Sequence, residues 1–329
     1  MLRQIFEYHP VIGHRFIPNV KARVPHEGGG YLVQANEAGF RSNRPFLRER
    51  ESGYRRVLLF GDSFTAGESV SNPQRYSDLI EARIPALQVY NFGMPGTGTD
   101  QQYLIWREFA QGIEHDLVAI AVLVENVRRV RARYRLYFDE TGCERIYAKP
   151  YYTLEDDELR LHHVPPRRSP LEVHELQREE RDTVDVGGRF QALRQVANAL
   201  GAREVLQRLT HYQPVPEYDS PDSPSWRLMR AILAQWVRAI AKHVLIMPIP
   251  LYPHLEQTSD SAPYRARFRE LAVELGCTLH DPLPDLLRYS PAQRRHFRFE
   301  KDVHLTPEGH DALACSLAPV IEQLLAGQR

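Results

Sequence analysis

The chain has 329 residues, with 42 lysines and arginines balanced by 42 aspartates and glutamates, so its formal charge is zero. That balance offers no basic field to nucleic acid or to an anionic membrane surface, and neither partner is expected. No apolar run has the length of a signal peptide or a membrane span, which predicts a soluble, cytoplasmic protein. The length allows one sizeable core with an appended subdomain.

Residues 1–50 are rich in proline and glycine and contain short alternating pieces such as Tyr31-Leu32-Val33-Gln34. This composition predicts loops and one or two short strands lying on a larger body. The piece 36–42 is assigned no chemistry, and we expect it to pack on the core or to form a wall of a site. We therefore predict that residues 1–50 are an N-terminal extension.

The stretch 56–60 is a compact apolar run that ends abruptly at Gly61, as a buried strand of a parallel sheet does. Ser63 follows it directly, at the edge where open α/β sheets build ligand sites. Two readings stay open: Ser63 is a nucleophile, or Asp62 and Ser63 only cap the next helix. The nucleophile elbow of α/β-hydrolases is excluded because Thr65 stands where a glycine is needed, and no P-loop lysine follows.

Two further predicted strands end in residues that can donate hydrogen bonds. A second apolar strand over 88–93 ends in the glycine-rich turn 94–99, whose glycines either only form a turn or let a backbone N–H approach a reacting carbonyl closely. The most apolar strand, 117–124, ends at Asn126, whose amide offers two donors or simply forms a turn. Helices are predicted over 78–84 and 100–111.

The core pattern lapses between 127 and 225, which we predict to be an insertion able to cap the active site. Within it, 146–154 and 159–164 predict a β-hairpin, and 190–209 predicts an amphipathic helix. An arginine cluster opens this insertion and is either a solvated face or a cradle for a substrate carboxylate or phosphate. Its members are Arg128, Arg129, Arg131, Arg133 and Arg135.

Alternating helices and strands resume after 226 and close the chain. Helices are predicted over 226–242, 263–275 and about 310–325, the last with Thr306-Pro307 as its start, and strands over 243–250 and 278–280. Connections of this length favour crossovers, and therefore an α/β fold in which a central parallel sheet lies between two helical layers. The core is assigned to 51–126 and 226–329.

The segment 301–310 supplies a base. Asp302 and His304 stand two apart and share one face of an extended segment, so the carboxylate can fix the imidazole tautomer while the imidazole takes a serine proton. Asp281 or Asp285 remains an alternative orienting acid. Asp302 and His304 can also be read as polar groups at a helix entry, or with His310 as metal ligands.

Four separated blocks together resemble the SGNH, or GDSL-like, serine hydrolases. The blocks are Gly61-Asp62-Ser63, the stretch 91–96, Asn126, and Asp302-Val303-His304. Two departures accompany the match. The third block of the family, Gly-x-Asn-Asp, here has Leu123 or Val124 for glycine and Val127 for aspartate, and the last block is one residue shorter than the usual Asp-x-x-His.

The resemblance implies an SGNH-like three-layer α/β/α sandwich and a serine mechanism. Ser63 would be the nucleophile, His304 the general base and Asp302 the residue that orients it. The N–H groups of Ser63 and Gly96 and the side chain of Asn126 would form the oxyanion hole. No cofactor and no metal is implied. Cys143, Cys277 and Cys315 lie far apart and are read as reduced thiols rather than nucleophiles.

The expected activity is hydrolysis of an ester, with removal of a short acyl group such as acetyl from a carbohydrate or small metabolite. Because the shorter Asp-x-His block also occurs in related polysaccharide O-acetyltransferases, transfer of the acyl group to a hydroxyl is the alternative. A third reading is a binding module whose site is blocked by the insertion. The sequence does not indicate the oligomeric state.

Overall fold

A computed structural model describes residues 4–138, 144–172, 175–176 and 213–327. Its strands are β1 (Phe6–His9), β2 (Gly13–Phe16), β3 (Lys21–Val24), β4 (Tyr31–Gln34), β5 (Arg55–Phe60), β6 (Leu87–Asn91), β7 (Leu117–Leu123), β8 (Tyr134–Phe138), β9 (Glu144–Ala148), β10 (Tyr151–Glu155), β11 (Glu158–His162), β12 (His243–Ile249) and β13 (Thr278–Leu279). Its helices are α1 (Ser63–Ala66), α2 (Tyr76–Arg83), α3 (Thr99–Ile105), α4 (Asn126–Arg129), α5 (Pro224–Ala239), α6 (Tyr252–Leu255), α7 (Ala262–Leu275), α8 (Leu283–Leu286), α9 (Pro291–Arg295) and α10 (Pro307–Ala326).

A five-stranded parallel sheet in the order β13-β12-β7-β5-β6 forms the centre. The middle strand, β7, is buried at every position, as its continuous apolar sequence predicts. Helices flank the sheet, with α2 packed on α10 and α3 packed on α5. The predicted α/β fold with a central parallel sheet is confirmed, and the carboxyl ends of β5, β6 and β7 meet at one edge.

The hairpin predicted over 146–154 and 159–164 is confirmed where 151–155 pairs with 158–162, whereas 146–148 pairs with a different strand. The structure has two hairpins there: β8 pairs with β9, and β10 pairs with β11. Pro150 separates β9 from β10, since proline cannot continue a paired ladder. Asp156 and Asp157 form the tight turn of the second hairpin, both with positive φ as a two-residue turn of this type requires. The predicted helix over 190–209 lies outside the described residues.

The N-terminal residues form two antiparallel hairpins, β1–β2 and β3–β4, which is more strand than the sequence predicts. Their buried side chains, including Phe16 and Val33, belong to the same hydrophobic cluster as the central sheet, and so do Tyr152 and Tyr218. The division into 1–50, the core and 127–225 stays a prediction. In the ranges that the structure covers, no helix has the length and apolar character needed to cross a membrane.

Helix ends follow the capping chemistry of the sequence. The closing helix α10 begins at Pro307, as the Thr306-Pro307 pair predicts, because Thr306 accepts a hydrogen bond from Gly309 N and proline suits a first helical position. The helix predicted over 100–111 is α3 continued by one π-helical segment, Trp106–Ala110. The helix α3 follows the glycine-rich turn after β6, and α10 follows the segment that carries Asp302 and His304.

Candidate active site

The turn after β5 presents Ser63 at this edge. Asp62 is fully buried and accepts a hydrogen bond from Phe64 N, so the capping role considered for this pair belongs to Asp62. Gly61 admits no side chain, since a Cβ there would lie 2.0 Å from Thr65 Oγ1. The hydroxyl of Ser63, the first residue of α1, is therefore left to face the cavity at this edge.

The structure brings Ser63, His304 and Asp302 together in one hydrogen-bonded chain. Ser63 Oγ lies 2.9 Å from His304 Nε2, and His304 Nδ1 lies 2.7 Å from Asp302 Oδ1. The imidazole is thus placed between a hydroxyl and a carboxylate. Such an arrangement lets the ring take a proton from the serine while the carboxylate stabilises the resulting imidazolium.

The two alternative orienting acids lie elsewhere. Asp281 pairs with Arg265 Nε at 2.5 Å, and Asp285 accepts a hydrogen bond from Ser316 Oγ at 2.8 Å. Only Asp302, of the three carboxylates considered, contacts the His304 ring in the described structure. The carboxylate that reaches the ring is therefore the one carried by the short Asp-x-His block.

The alternative metal site does not assemble. His310 is fully buried and stacks on Tyr76 instead of facing Asp302 and His304. The backbone N–H of Tyr76 donates a hydrogen bond to His310 Nδ1, with 3.2 Å between the two nitrogens. Across the described residues, no group of three or more histidine, cysteine or carboxylate side chains could hold a metal. Burial also raises the pKa of the Cys277 thiol to about 11, which disfavours a thiolate.

Asp302 is held ionised by several donors. Burial by itself would raise its pKa, but the hydrogen bond and charge of His304, and the hydroxyl of Ser69, keep that pKa well below its usual range. Four donors reach the carboxylate: the backbone N–H and ring Nδ1 of His304 at Oδ1, and Ser69 Oγ and His26 Nε2 at Oδ2. This carboxylate is saturated and fixed in orientation.

A second carboxylate acts on the imidazole. Burial lowers the pKa of His304, but the charge of Glu68 and the hydrogen bond to Asp302 outweigh it, so the pKa is raised above its ordinary value. Glu68 Oε2 lies 3.4 Å from His304 Nε2, and Asp62 adds a further negative charge nearby. The ring is thereby stabilised in its protonated form.

The two other predicted oxyanion donors follow the ends of β6 and β7. Gly96 lines the cavity with Ser63 and has φ of +74°, a conformation that favours glycine. Asn126 begins α4, is fully buried, and has no hydrogen-bond partner for either amide atom within the described part of the chain. Leu123 and Glu125 line the cavity, whereas Asn126 itself is not among the lining residues.

A buried ion pair joins the Ser63 turn to α4. Arg129 Nη1 lies 3.0 Å from Asp62 Oδ2, and its Nη2 lies 3.2 Å from Glu125. Burial raises the pKa of Asp62, and the guanidinium opposes that effect. Because Asp62 precedes Ser63 and Arg129 shares α4 with Asn126, the pair ties together two of the predicted reacting positions.

A cavity of about 310 Å³ opens over Ser63 and His304. Of the arginine cluster, three members line it: Arg128, Arg129 and Arg135. Each has a partner, Arg128 pairing with Glu217 at 2.6 Å. Arg131 is exposed, and Arg133 lies over the ring of Tyr151. The predicted cluster is therefore divided between the cavity wall and the surface.

Most of the sequence matches a known protein family. The model of the GDSL-like lipase/acylhydrolase family matches residues 59–312. The chain belongs to that family. Ser63, Gly96, Asn126, Asp302 and His304 all lie within the matched range. The predicted recognition is confirmed, and the GDSL-like assignment places the chain among lipases and acylhydrolases.

Solved structures resemble this GDSL-like chain at low identity. A member of the lipolytic G-D-S-L family from Veillonella parvula is 12% identical, covering 82% of this chain and 98% of its own, with a TM-score of 0.43. A lipase/acylhydrolase from Enterococcus faecalis is 14% identical, with coverages of 82% and 96% and a TM-score of 0.44. An acetylxylan esterase from Geobacillus stearothermophilus is 13% identical, with coverages of 81% and 94% and a TM-score of 0.42. No curated protein matched in the sequence comparison.

Three polar side chains at this GDSL-like site were missed by sequence reasoning. Glu68 reaches His304, while His26 and Ser69 reach the far oxygen of Asp302. Glu68 and Ser69 follow Ser63 closely in the chain, and that proximity was the one available signal. His26 lies 276 residues from its partner, and no local pattern marks it.

Proposed function

We propose that this chain is a serine-dependent ester hydrolase that forms an acyl-enzyme on Ser63. The observation that carries the proposal is the hydrogen-bonded chain from Ser63 Oγ through His304 to Asp302, which opens onto a cavity. An isolated serine is a weak nucleophile, and an imidazole within hydrogen-bond reach is what activates it. Membership of a lipase/acylhydrolase family supports the same chemistry.

The reaction runs in two halves. Ser63 Oγ attacks the ester carbonyl carbon while His304 Nε2 takes the serine proton, and the resulting tetrahedral intermediate expels the alcohol, which receives that proton. Water then attacks the acyl-enzyme, and His304 takes its proton and returns one to Ser63 Oγ as the acid leaves. Asp302 stays ionised and stabilises the imidazolium in both halves.

The carbonyl oxygen gains negative charge when Ser63 attacks, and hydrogen-bond donors that face this oxygen are needed to stabilise it. We assign the N–H groups of Ser63 and Gly96 and the amide of Asn126 to this task. The absence of any partner for the Asn126 amide among the described residues supports this assignment, because a buried donor without a partner costs free energy unless a ligand uses it.

The size of the cavity favours a short acyl group. Its volume of about 310 Å³ is at the lower end of ordinary ligand pockets, and both polar and aromatic side chains line it, among them Glu68, Tyr252 and Arg298. A sugar or a small metabolite carrying an acetyl-sized ester fits such a lining. Water is the proposed acceptor, and a sugar hydroxyl that intercepts the acyl-enzyme is the alternative.

The test is covalent labelling with a fluorophosphonate, followed by intact mass and peptide mapping. We expect one adduct, located on Ser63, which is lost in Ser63→Ala and His304→Ala and kept in the control Ser220→Ala, an exposed serine. Hydrolysis of p-nitrophenyl acetate, butyrate and octanoate then reports the acyl length, with acetate expected to react fastest.

Other outcomes separate the alternatives. Failure of the parent protein to be labelled at Ser63 would overturn the hydrolase proposal and favour the binding-module reading. Labelling followed by acyl transfer to an added sugar at the expense of hydrolysis would identify an acyltransferase. The first outcome is read from the mass of the intact protein, and the second from mass spectrometry of the products.

Asn126→Ala is expected to lower kcat by about 10²- to 10³-fold with little change in KM, because the lost donor acts on the transition state. Tm should not fall through lost hydrogen bonds, since the Asn126 amide makes none with the described residues. The control is Asn72→Ala: Asn72 bonds to Gln34 O, Asn43 and Arg41, so Tm should fall there. A change confined to KM would remove Asn126 from the oxyanion hole.

Glu68→Gln is expected to move the acid limb of kcat/KM to lower pH. Glu68 helps to raise the pKa of His304, so the ring stays protonated, and unable to accept the serine proton, up to a higher pH than an ordinary histidine. Removing the charge lowers that pKa. High salt should move the limb of the parent in the same direction, because Glu68 is partly exposed. An unshifted limb would contradict the assignment; Glu125→Gln is the control.

A further inference from the structure

The outer oxygen of Asp302 is held by two side chains from outside its own segment. Ser69 Oγ lies 2.5 Å and His26 Nε2 lies 3.0 Å from Oδ2. Gly28 N–H donates to His26 Nδ1, so the ring proton is on Nε2, which donates to the carboxylate. His26 also packs edge-on against Phe299, with ring centroids 4.4 Å apart. Ser69 and His26 therefore both donate hydrogen bonds to Asp302 Oδ2 from fixed directions.

The loop that carries Asp302 is also tied to the N-terminal region through its backbone. Arg298 and Leu305 form an antiparallel bridge, which makes 299–304 the tip of a small hairpin. At this tip, the Glu27 carboxylate accepts hydrogen bonds from the backbone N–H groups of Lys301 and Asp302. The loop between β3 and β4 therefore holds both the side chain and the backbone of Asp302.

Ser69 has an unfavourable backbone conformation for a serine. Its φ is +73°, in the left-handed region that glycine adopts at little cost. A serine at such a position has no conformational advantage over glycine. What it adds is the hydroxyl, and that hydroxyl donates to Asp302.

We propose that His26 and Ser69 are positioning residues, which hold Asp302 so that it orients His304, and that the N-terminal region is therefore part of the active site. The inference rests on the proposed function. The short Asp-x-His block explains the need: Asp302 Oδ1 already accepts both the backbone N–H and the ring N–H of His304, so Oδ2 must be anchored from elsewhere. Support of this kind keeps a reacting group within the narrow range of productive geometry.

Ser69→Gly separates positioning from stability. Glycine relieves the strained φ, so Tm should be unchanged or higher, yet the loss of the hydroxyl should lower kcat/KM for p-nitrophenyl acetate by up to about a hundredfold, mainly in kcat. The control is Ala86→Gly, another left-handed residue, at the amino end of β6 and so at the opposite sheet edge. It should gain stability without losing activity.

His26→Phe keeps an aromatic ring against Phe299 and removes the donor, while His26→Gln restores an N–H. We expect kcat/KM to fall in the first variant and to recover in part in the second. His115→Phe, which alters a half-buried histidine before β7, controls for loss of a ring nitrogen away from the site.

A second readout does not depend on turnover. The downfield proton resonance of His304 Nδ1 reports its hydrogen bond to Asp302, and we expect it to broaden or shift in Ser69→Gly and His26→Phe at unchanged Tm. An unaltered resonance in both variants would overturn the positioning inference whether or not Ser63 is labelled. Absence of Ser63 labelling in the parent, with an altered resonance in the variants, would instead overturn the proposed function alone.

Discussion

Ser63→Ala is expected to lower kcat for ester hydrolysis by about 10⁶-fold. The only hydroxyl of the described structure that contacts His304 Nε2 would be gone, so no acyl-enzyme can form. His304→Ala should cost nearly as much, because the serine then keeps its proton. Since the two residues act as one unit, the double variant should be no worse than either single variant. Steady-state kinetics at matched protein concentration measures all three.

The folded state should survive both changes. Ser63 makes up only the first position of a four-residue helix, whose cap is Asp62, so Tm should stay close to that of the parent. Circular dichroism melts check this point, and Ser220→Ala serves as the matched control. Parent-like turnover in Ser63→Ala would refute the serine mechanism, and additive losses in the double variant would refute the coupling between the two residues.

Asp302→Asn should lower kcat by about 10⁴-fold. Four donors surround the carboxylate, and an amide can satisfy them on one side only. If its nitrogen faces His304, the ring is forced into the tautomer that cannot accept the serine proton. If its oxygen faces His304, the nitrogen meets the hydroxyl of Ser69 and the ring of His26. In both orientations the negative charge that stabilises the imidazolium is lost.

The matched control is Asp281→Asn, which alters the alternative acid considered for the same role. Asp281 pairs with Arg265 and accepts a hydrogen bond from Leu283 N, so its substitution should change Tm and leave kcat alone. The same kinetic assay and melts apply. Full activity in Asp302→Asn, or a large loss of kcat in Asp281→Asn, would show that the orienting acid is wrongly assigned.

The sheet was predictable because its strands are continuous apolar runs. Every residue of β7 is buried, and so are five of the six residues of β5, so a local pattern sufficed to identify them. Ser63 and His304 were predictable for another reason: a nucleophile at a strand end and a histidine two residues after an acid are short-range signals. The structure then places these residues in contact across 241 positions.

The parts that escaped prediction depend on distant partners. The strand β9 pairs with β8, whose sequence was interpreted only as the end of an arginine cluster. Several neighbouring segments alternate apolar and polar residues equally well, so their pairing is not decided locally. His26 and Ser69 carry no motif either. Their chemistry arises only when the N-terminal hairpins and the 299–304 loop tip fold against each other.

The parts of the site lie far apart in the chain and are therefore synthesised at different times. Strands β5, β6 and β7 are consecutive strands of the chain and can pair early. Strand β12 joins β7 only after more than a hundred intervening residues have been made. His304 follows Ser63 by 241 residues and is made well after it. A nascent or prematurely terminated chain that stops before His304 therefore carries Ser63 on a formed strand end without the imidazole that contacts its hydroxyl.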